Sequence, residues 1–309
     1  VMEEARALSL ELLGLTGKGY QALFLQGGAS LEFLMVPYNL MKVGGKAAYL
    51  DTGAWSGKAL KEAKGVGETV VVASSKDKNY NYIPKNYAIP ADVDYLHITS
   101  NNTIFGTQVK DFPKTDVFLV SDMSSDIFSR QLDFSQFDLI YAGAQKNMGP
   151  AGTTLVVVKE DILGKSGRTI PAMLDYQIHI ANESMYNTPA VYAVYVSLLN
   201  LRWLKNLGGI AAIEKINEHK AQLLYNEIDR NPLFTGTCEV EDRSPMNVCF
   251  LLKDDAHKET FDKLWKAANI SGINGHRSVG GYRASMYNAL AVESVQALVD
   301  CMKELENKI

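Results

Sequence analysis

Between residues 22 and 160 seven short apolar runs recur, each about the length of a strand. They are ALFL (22–25), AAYL (47–50), TVVVAS (69–74), DYLHIT (94–99), DVFLVSD (116–122), DLIYAGA (138–144) and TLVVVKE (154–160). Several are β-branched and apolar on both faces, as strands buried between two helix layers must be. Helical stretches intervene, SLEFLMVPYNLM after the first run and GKALKEAKGVG after the second. The alternation predicts an α/β sheet, mostly parallel, with helices on both faces.

After Pro189 the texture changes. The stretch from Val191 to Asn231 reads as two long helices broken at Gly208-Gly209. NVCFLL, a helix around FDKLWKAANI, then GYRASMYNA and a closing helix SVQALVDCMKELENK predict a small α+β unit. We therefore expect a large domain over 1–210 and a small C-terminal domain over 211–309. At the other end, Ala5, Leu8, Leu12 and Leu13 recur at helical spacing, so the chain opens inside a helix and an N-terminal piece is expected to precede it.

A net charge of -4 offers no basic stripe for nucleic acid. The apolar runs are far too short to span a bilayer, and no charged leader precedes an apolar segment, which predicts a cytoplasmic protein. The five histidines show no HxxxH or HExxH pair, so no metal site is expected. Cys238, Cys249 and Cys301 have no CxxC spacing and read as small buried hydrophobes in a reducing compartment.

In a sheet of this kind, ligands bind outside the carboxyl ends of the strands. The residues there are QGGAS (26–30), DTGAW (51–55), TSNNT (99–103), SDMSS (121–125) and GAQKN (143–147). Together they offer hydroxyls, glycines, an aspartate, an indole and a lysine to one rim.

Each has a plain reading beside a chemical one. The glycines of QGGAS serve either a tight turn or a helix N-terminus that holds a phosphate; the stretch is not GxGxxG. Asp122 is either a helix cap, a role Ser124 or Ser125 could also fill, or an anion facing a protonated heterocyclic nitrogen. Trp55 is a core or rim tryptophan, or a plane on which a flat ring stacks. Lys146 stands between two buried runs with no charged residue in its own motif. That setting suits an amine of lowered pKa that forms a Schiff base with an aldehyde cofactor. An aspartate on one strand and a lysine after the next, 24 residues on, is the spacing of pyridoxal phosphate enzymes with an aspartate-aminotransferase-like fold.

Over essentially its whole length the chain resembles the phosphoserine aminotransferase family, class-V aminotransferases of fold type I. The stretches that carry the resemblance are GGAS, YLDTGAW, NNTIFGT, SDMSSDIFSR, YAGAQKNMGPAG, YNTP and GHRSVGGYRAS. It implies pyridoxal 5′-phosphate as cofactor, with Lys146 as the Schiff-base lysine and Asp122 as the partner of the pyridine nitrogen. Trp55 would stack on the ring and Thr103 would bond its 3′ oxygen. Ala29, Ser30, Gln145 and Ser124 would serve the phosphate. Asn187 and Thr188 would reach the phosphate of the neighbouring subunit's cofactor, making a homodimer with shared active sites. Arg283 would clamp the substrate carboxylate, and His276 with Arg277 would face the substrate phosphate.

The reaction implied is amino transfer between glutamate and 3-phosphohydroxypyruvate in serine biosynthesis, with a possible second role in vitamin B6 biosynthesis. Two departures accompany it. Some members carry Gly-Arg where this chain has Ala29-Ser30, and the family's N-terminal His-Arg segment precedes the first residue here. The alternatives are a shortened homologue that binds cofactor without turnover, or another fold-type I aminotransferase. A desulfurase would need a loop cysteine that the sequence does not offer.

Overall fold

The computed structural model describes residues 1–309. All seven apolar runs form strands of one sheet: β1 (Tyr20–Leu25), β2 (Lys46–Asp51), β3 (Glu68–Ser74), β4 (Tyr95–Thr99), β5 (Phe118–Asp122), β6 (Leu139–Gly143) and β7 (Thr154–Lys159). Their order is β1-β7-β6-β5-β4-β2-β3. The strands from β6 to β3 in that order run parallel, and β7 alone is reversed, pairing antiparallel with both β6 and β1. The carboxyl ends of β1, β2, β4, β5 and β6 therefore open on one rim.

The two-sided apolar pattern has its cause in two cores. Leu23, Tyr49, Val120, Tyr141 and Val156 point to one face. There they meet Phe33, Met35 and Val36 of α2 (Gly28–Leu40) and Ala59 and Ala63 of α3 (Ala54–Ala63). Their sequence neighbours Ala22, Leu50, Leu119, Ile140 and Val157 point the other way. They pack on Leu8 of α1 (Met2–Leu12) and on Leu198 and Leu201 of α5 (Val191–Leu207). Each such side chain contributes about 1.5–3 kcal/mol by leaving water, so both layers are held by the same period-2 alternation.

The strict alternation of strand and helix does not persist. After β3 the chain runs to β4 through one 3-10 turn, Lys76–Lys78, and no α-helix separates β4, β5 and β6. Pro84 and Pro90 interrupt the first of these crossovers, where a helix would lose donors. Ile83, Val93, Val109, Phe112, Phe134 and Phe137 cover the sheet there in a helix's place.

Beyond the sheet, α4 (Tyr176–Ala181) precedes α5. Gly208 (φ 110°) and Gly209 (φ 73°) then break α5 from α6 (Ile210–Arg230), conformations that side chains rarely adopt. The C-terminal unit is an antiparallel sheet of β8 (Phe234–Gly236), β9 (Asn247–Leu252) and β10 (Tyr282–Ser285), with α7 (Lys258–Ala267) and α8 (Val292–Lys308). The short β8 has no apolar run to announce it. This unit has its own core of Phe234, Phe250, Phe261, Trp265, Tyr282 and Met302. Helix α6 joins the two: Ile210 and Ile213 lie in the large core, Leu224 and Ile228 in the small one. No helix is long and apolar enough to cross a membrane.

Candidate active site

Strand β1 delivers Gln26 and Gly27 to the rim, and Gly27 (φ 104°) turns the chain straight into α2. A Cβ there would meet the Leu31 side chain at 2.5 Å, so the turn requires glycine. The first α2 amide to bond back is Leu31 N, to Gly27 O at 3.4 Å. The N–H groups of Gly28, Ala29 and Ser30 therefore point outward unpaired, with no acidic residue in the first turn. That is an anion cradle. Ser30 is exposed and Ala29 half-buried beside it.

Asp122, the last residue of β5, is buried at the same rim. No helix comes after it, so neither Asp122 nor Ser124 nor Ser125 is a cap. Instead Asp122 Oδ1 accepts from Ser124 N at 2.9 Å. Burial pushes this carboxyl up, opposed by the Ser124 hydrogen bonds and the charge of Lys146. Ser124 itself is buried, its hydroxyl accepting from Gly143 N at 3.1 Å and so tying the end of β5 to β6.

Lys146 lies on the turn after β6. Its Nζ donates to Thr103 Oγ1 at 3.0 Å and stands 5.9 Å from the ring centroid of Trp55, near the start of α3. Burial pushes the amine's pKa down; Asp122 opposes this and Arg283 adds to it. The indole Nε1 of Trp55 is buried without a partner, and Lys58 Nζ covers its ring at 4.3 Å. From the C-terminal unit, Arg283 on β10 donates through Nη1 to Thr103 O at 3.4 Å, while its Nε is buried with no partner.

The structure thus gathers Asp122, Lys146, Thr103, Trp55 and Arg283 from both units of the chain. Gln145 is exposed beside Gly143. Asn187 Nδ2 donates to Gln26 Oε1 at 3.2 Å, and Gln26 Nε2 donates to Thr188 O at 3.3 Å, so both sit beside the cradle of their own chain. His276 bonds within its own loop, Nδ1 to Ser278 Oγ at 2.7 Å, and Arg277 is exposed and makes no salt bridge. Neither contacts the central group.

Two residues were missed in the sequence: Tyr287, whose hydroxyl accepts from Asn247 Nδ2 at 3.2 Å and faces Thr103, and Asn288 next to it. They follow GHRSVGGYRAS, and the residues MYNA that hold them carry no motif of their own. The three cysteines are buried and unpaired. Burial pushes Cys238 up to about 11 and Cys249 to about 12, which leaves no reactive thiol among these two.

The family model for class-V aminotransferases matches residues 1–298. The phosphoserine aminotransferase of Flavobacterium psychrophilum is 75% identical over 309 residues, which span 100% of this chain and 87% of that protein. Among solved structures, the phosphoserine aminotransferase from Bacillus circulans subsp. alkalophilus superposes with a TM-score of 0.96 at 45% identity, over 99% of this chain and 86% of that one. The pyridoxal phosphate-bound phosphoserine aminotransferase from Trichomonas vaginalis superposes with a TM-score of 0.92 at 34% identity, over 98% and 87% respectively.

Proposed function

The chain belongs to the phosphoserine aminotransferases, within the class-V aminotransferase family, and on that premise we propose that Lys146, Asp122 and Arg283 carry its chemistry. It is a pyridoxal phosphate-dependent transaminase that moves an amino group between glutamate and 3-phosphohydroxypyruvate, giving 2-oxoglutarate and phosphoserine.

The rim fits this cofactor. The unpaired amides of Gly28, Ala29 and Ser30 suit its phosphate, the face of Trp55 its ring, and Thr103 its 3′ oxygen. When bound, the cofactor supplies an electron sink for the charge left at the substrate α-carbon. Asp122, held through Oδ1 by Ser124 N–H, presents the negative charge that favours a protonated ring nitrogen. Lys146 takes the proton from the substrate α-carbon and returns one in the reverse direction, since burial favours its neutral, proton-accepting form. Arg283 donates a planar fork to the α-carboxylate, and its unpartnered Nε supports that role. His276 and Arg277 face the substrate phosphate from the loop at 276–280.

The finer reading is a homodimer. Val191, Tyr192, Tyr195, Leu199 and Trp203 leave one stripe of α5 exposed, with Tyr192 75% accessible. An apolar face of this kind marks an interface. Asn187 and Thr188 lie shortly before the start of that helix, next to its exposed stripe, which supports their reaching the partner subunit's cofactor phosphate. Gln145 and Ser124 complete the phosphate surroundings, and the large and small domains divide near residue 210. A cytoplasmic location stays an expectation of the sequence, and a second phosphorylated substrate in vitamin B6 synthesis rests on the resemblance alone.

The observation that carries the reading is Lys146: a half-buried amine with one neutral partner, beside an aromatic face and a buried carboxylate. The test is the visible absorption spectrum of the protein loaded with pyridoxal phosphate, before and after glutamate. A cofactor band that moves on adding glutamate supports it; a band that glutamate leaves unchanged contradicts it.

A further inference from the structure

Lys220 lies midway along α6, completely buried, and makes no salt bridge. Its Nζ donates to three backbone carbonyls: Met286 O at 3.2 Å, Tyr287 O at 2.9 Å and Leu290 O at 3.1 Å. An ammonium has three protons, and here each has an acceptor. Burial disfavours the charge, with the amine's pKa pushed down to about 8. A methionine would fill a similar volume without the cost of desolvating a cation. The charge is therefore spent on holding residues 286–290 in place.

That segment comes directly after Arg283 and its strand. Asn288 N donates to Asn147 Oδ1 at 3.0 Å, and Asn147 is the chain neighbour of Lys146. Asn147 is fixed in turn by Ile127 O, at 3.1 Å from its Nδ2. The Asn288 side chain donates to Phe128 O at 3.0 Å and accepts from Asn217 Nδ2 at 2.9 Å. Asn217 also reaches Ser129 O at 3.1 Å. Asn217 and Lys220 are three residues apart on α6 and share a face. One helix thus grips one loop, and the loop joins the turn of Lys146 to the strand of Arg283.

The chemistry gives this grip a purpose. Lys146 must meet the α-carbon of a substrate whose carboxylate Arg283 holds, yet the two residues come from units with separate cores. Neither core sets the distance between them. We infer that Lys220 and Asn217 are positioning residues that, through residues 286–290, set the separation of the Lys146 amine from the Arg283 guanidinium. The inference rests on the proposed roles of Lys146 and Arg283.

The test is a double-mutant cycle in the pyridoxal phosphate-loaded holoenzyme, reading kcat/KM for glutamate and cofactor affinity. Lys220→Met and Asn217→Ala are each made alone and together with Arg283→Ala. Each single variant should lose roughly tenfold in kcat/KM at unchanged cofactor affinity, because small misplacements of reacting groups are costly. On top of Arg283→Ala, the further loss should be less than about twofold, since residues acting as a unit are not additive. Losses that multiply, with Arg283→Ala itself impaired, would mean a merely structural role and overturn the inference while leaving the clamp standing. An Arg283→Ala enzyme with full kcat/KM would overturn the clamp and the inference together. If Lys220→Met does not fold, the Asn217→Ala cycle decides by the same criteria.

Discussion

The amine of Lys146 donates to the hydroxyl of Thr103 at 3.0 Å, and the carbonyl of the same threonine accepts from Arg283 at 3.4 Å. Thr103 therefore touches both the amine proposed to react and the guanidinium proposed to hold the carboxylate. A neutral hydroxyl holds the amine in either protonation state, which a carboxylate in that place would not do. The charges that do act on Lys146 come from Asp122 and, more weakly, Asp126 on one side and Arg283 on the other.

Asp122→Asn tests the first of these. The amide keeps an oxygen for Ser124 N–H, so the local turn should survive. What goes is the charge proposed to face the ring nitrogen. Breaking a buried ion pair costs about 3–5 kcal/mol, so kcat should fall by roughly two to four orders of magnitude. A variant with a near-native kcat would make Asp122 a structural residue only.

Arg283 and Arg277 should separate by substrate. Arg283→Ala should weaken every amino or keto acid, because all share the α-carboxylate. Arg277→Ala should instead lower the preference for 3-phosphohydroxypyruvate over hydroxypyruvate by about tenfold to hundredfold, the loss of one charged hydrogen bond. The measurement is kcat/KM for both keto acids in each variant. Equal loss on both substrates in Arg277→Ala would show that it does not read the phosphate.

The contrast between these arginines also marks what a sequence can reveal. The strands were legible because burial on both faces demands runs such as TLVVV, and the break at Gly208-Gly209 because only glycine tolerates it. The rim positions of Asp122 and Lys146 were legible because Asp122 ends one run and Lys146 follows the next. The helix-free crossovers were not: aromatic and aliphatic loop residues such as Phe112 and Phe134 do a helix's packing without its period. The reversal of β7 was equally hidden, because a buried strand reads the same in either direction. Asn147, Asn217 and Lys220 reach residues 286–290 across 66 to 141 residues of chain, and no local pattern encodes such a meeting. Arg277 shows the reverse: it is prominent in GHRSVGGYRAS, yet in this structure it is exposed and makes no salt bridge.

The α5 stripe predicts the assembly. Replacing Tyr192 and Tyr195 by aspartate places charges on the exposed face without entering the core. Sedimentation should show a monomer. Its cofactor affinity should fall about tenfold or more, as one or two hydrogen bonds from Asn187 and Thr188 are lost. A monomer with native cofactor affinity would confine those two residues to their contact with Gln26 in the same chain.

Glu32 on α2 predicts a pH dependence of stability. It is completely buried, its Oε2 accepts from Tyr176 OH at 2.6 Å, and its Oε1 has no partner. Burial pushes the carboxyl up to about 7, against the Tyr176 bond, from an ordinary value of 4.5. The folded chain therefore keeps this proton between pH 4.5 and 7 while the unfolded chain has lost it. Stability from this group is full below 4.5 and declines as pH rises to about 7, by roughly 3 kcal/mol. Glu32→Gln removes the titration. Its unfolding free energy relative to the native chain should rise from pH 5 to pH 8; a flat difference would mean that Glu32 titrates normally.

The central claim is that one particular amine reacts with the cofactor. Lysines and arginines number 31 in this chain, and most are solvated. Reduction of the pyridoxal phosphate-loaded protein with borohydride, then peptide mapping, identifies the lysine to which the cofactor becomes fixed. The account predicts label on the single peptide containing Ala144-Gln145-Lys146-Asn147, and none in Lys146→Ala. Label on a different lysine, or undiminished labelling of the Lys146→Ala protein, would contradict it.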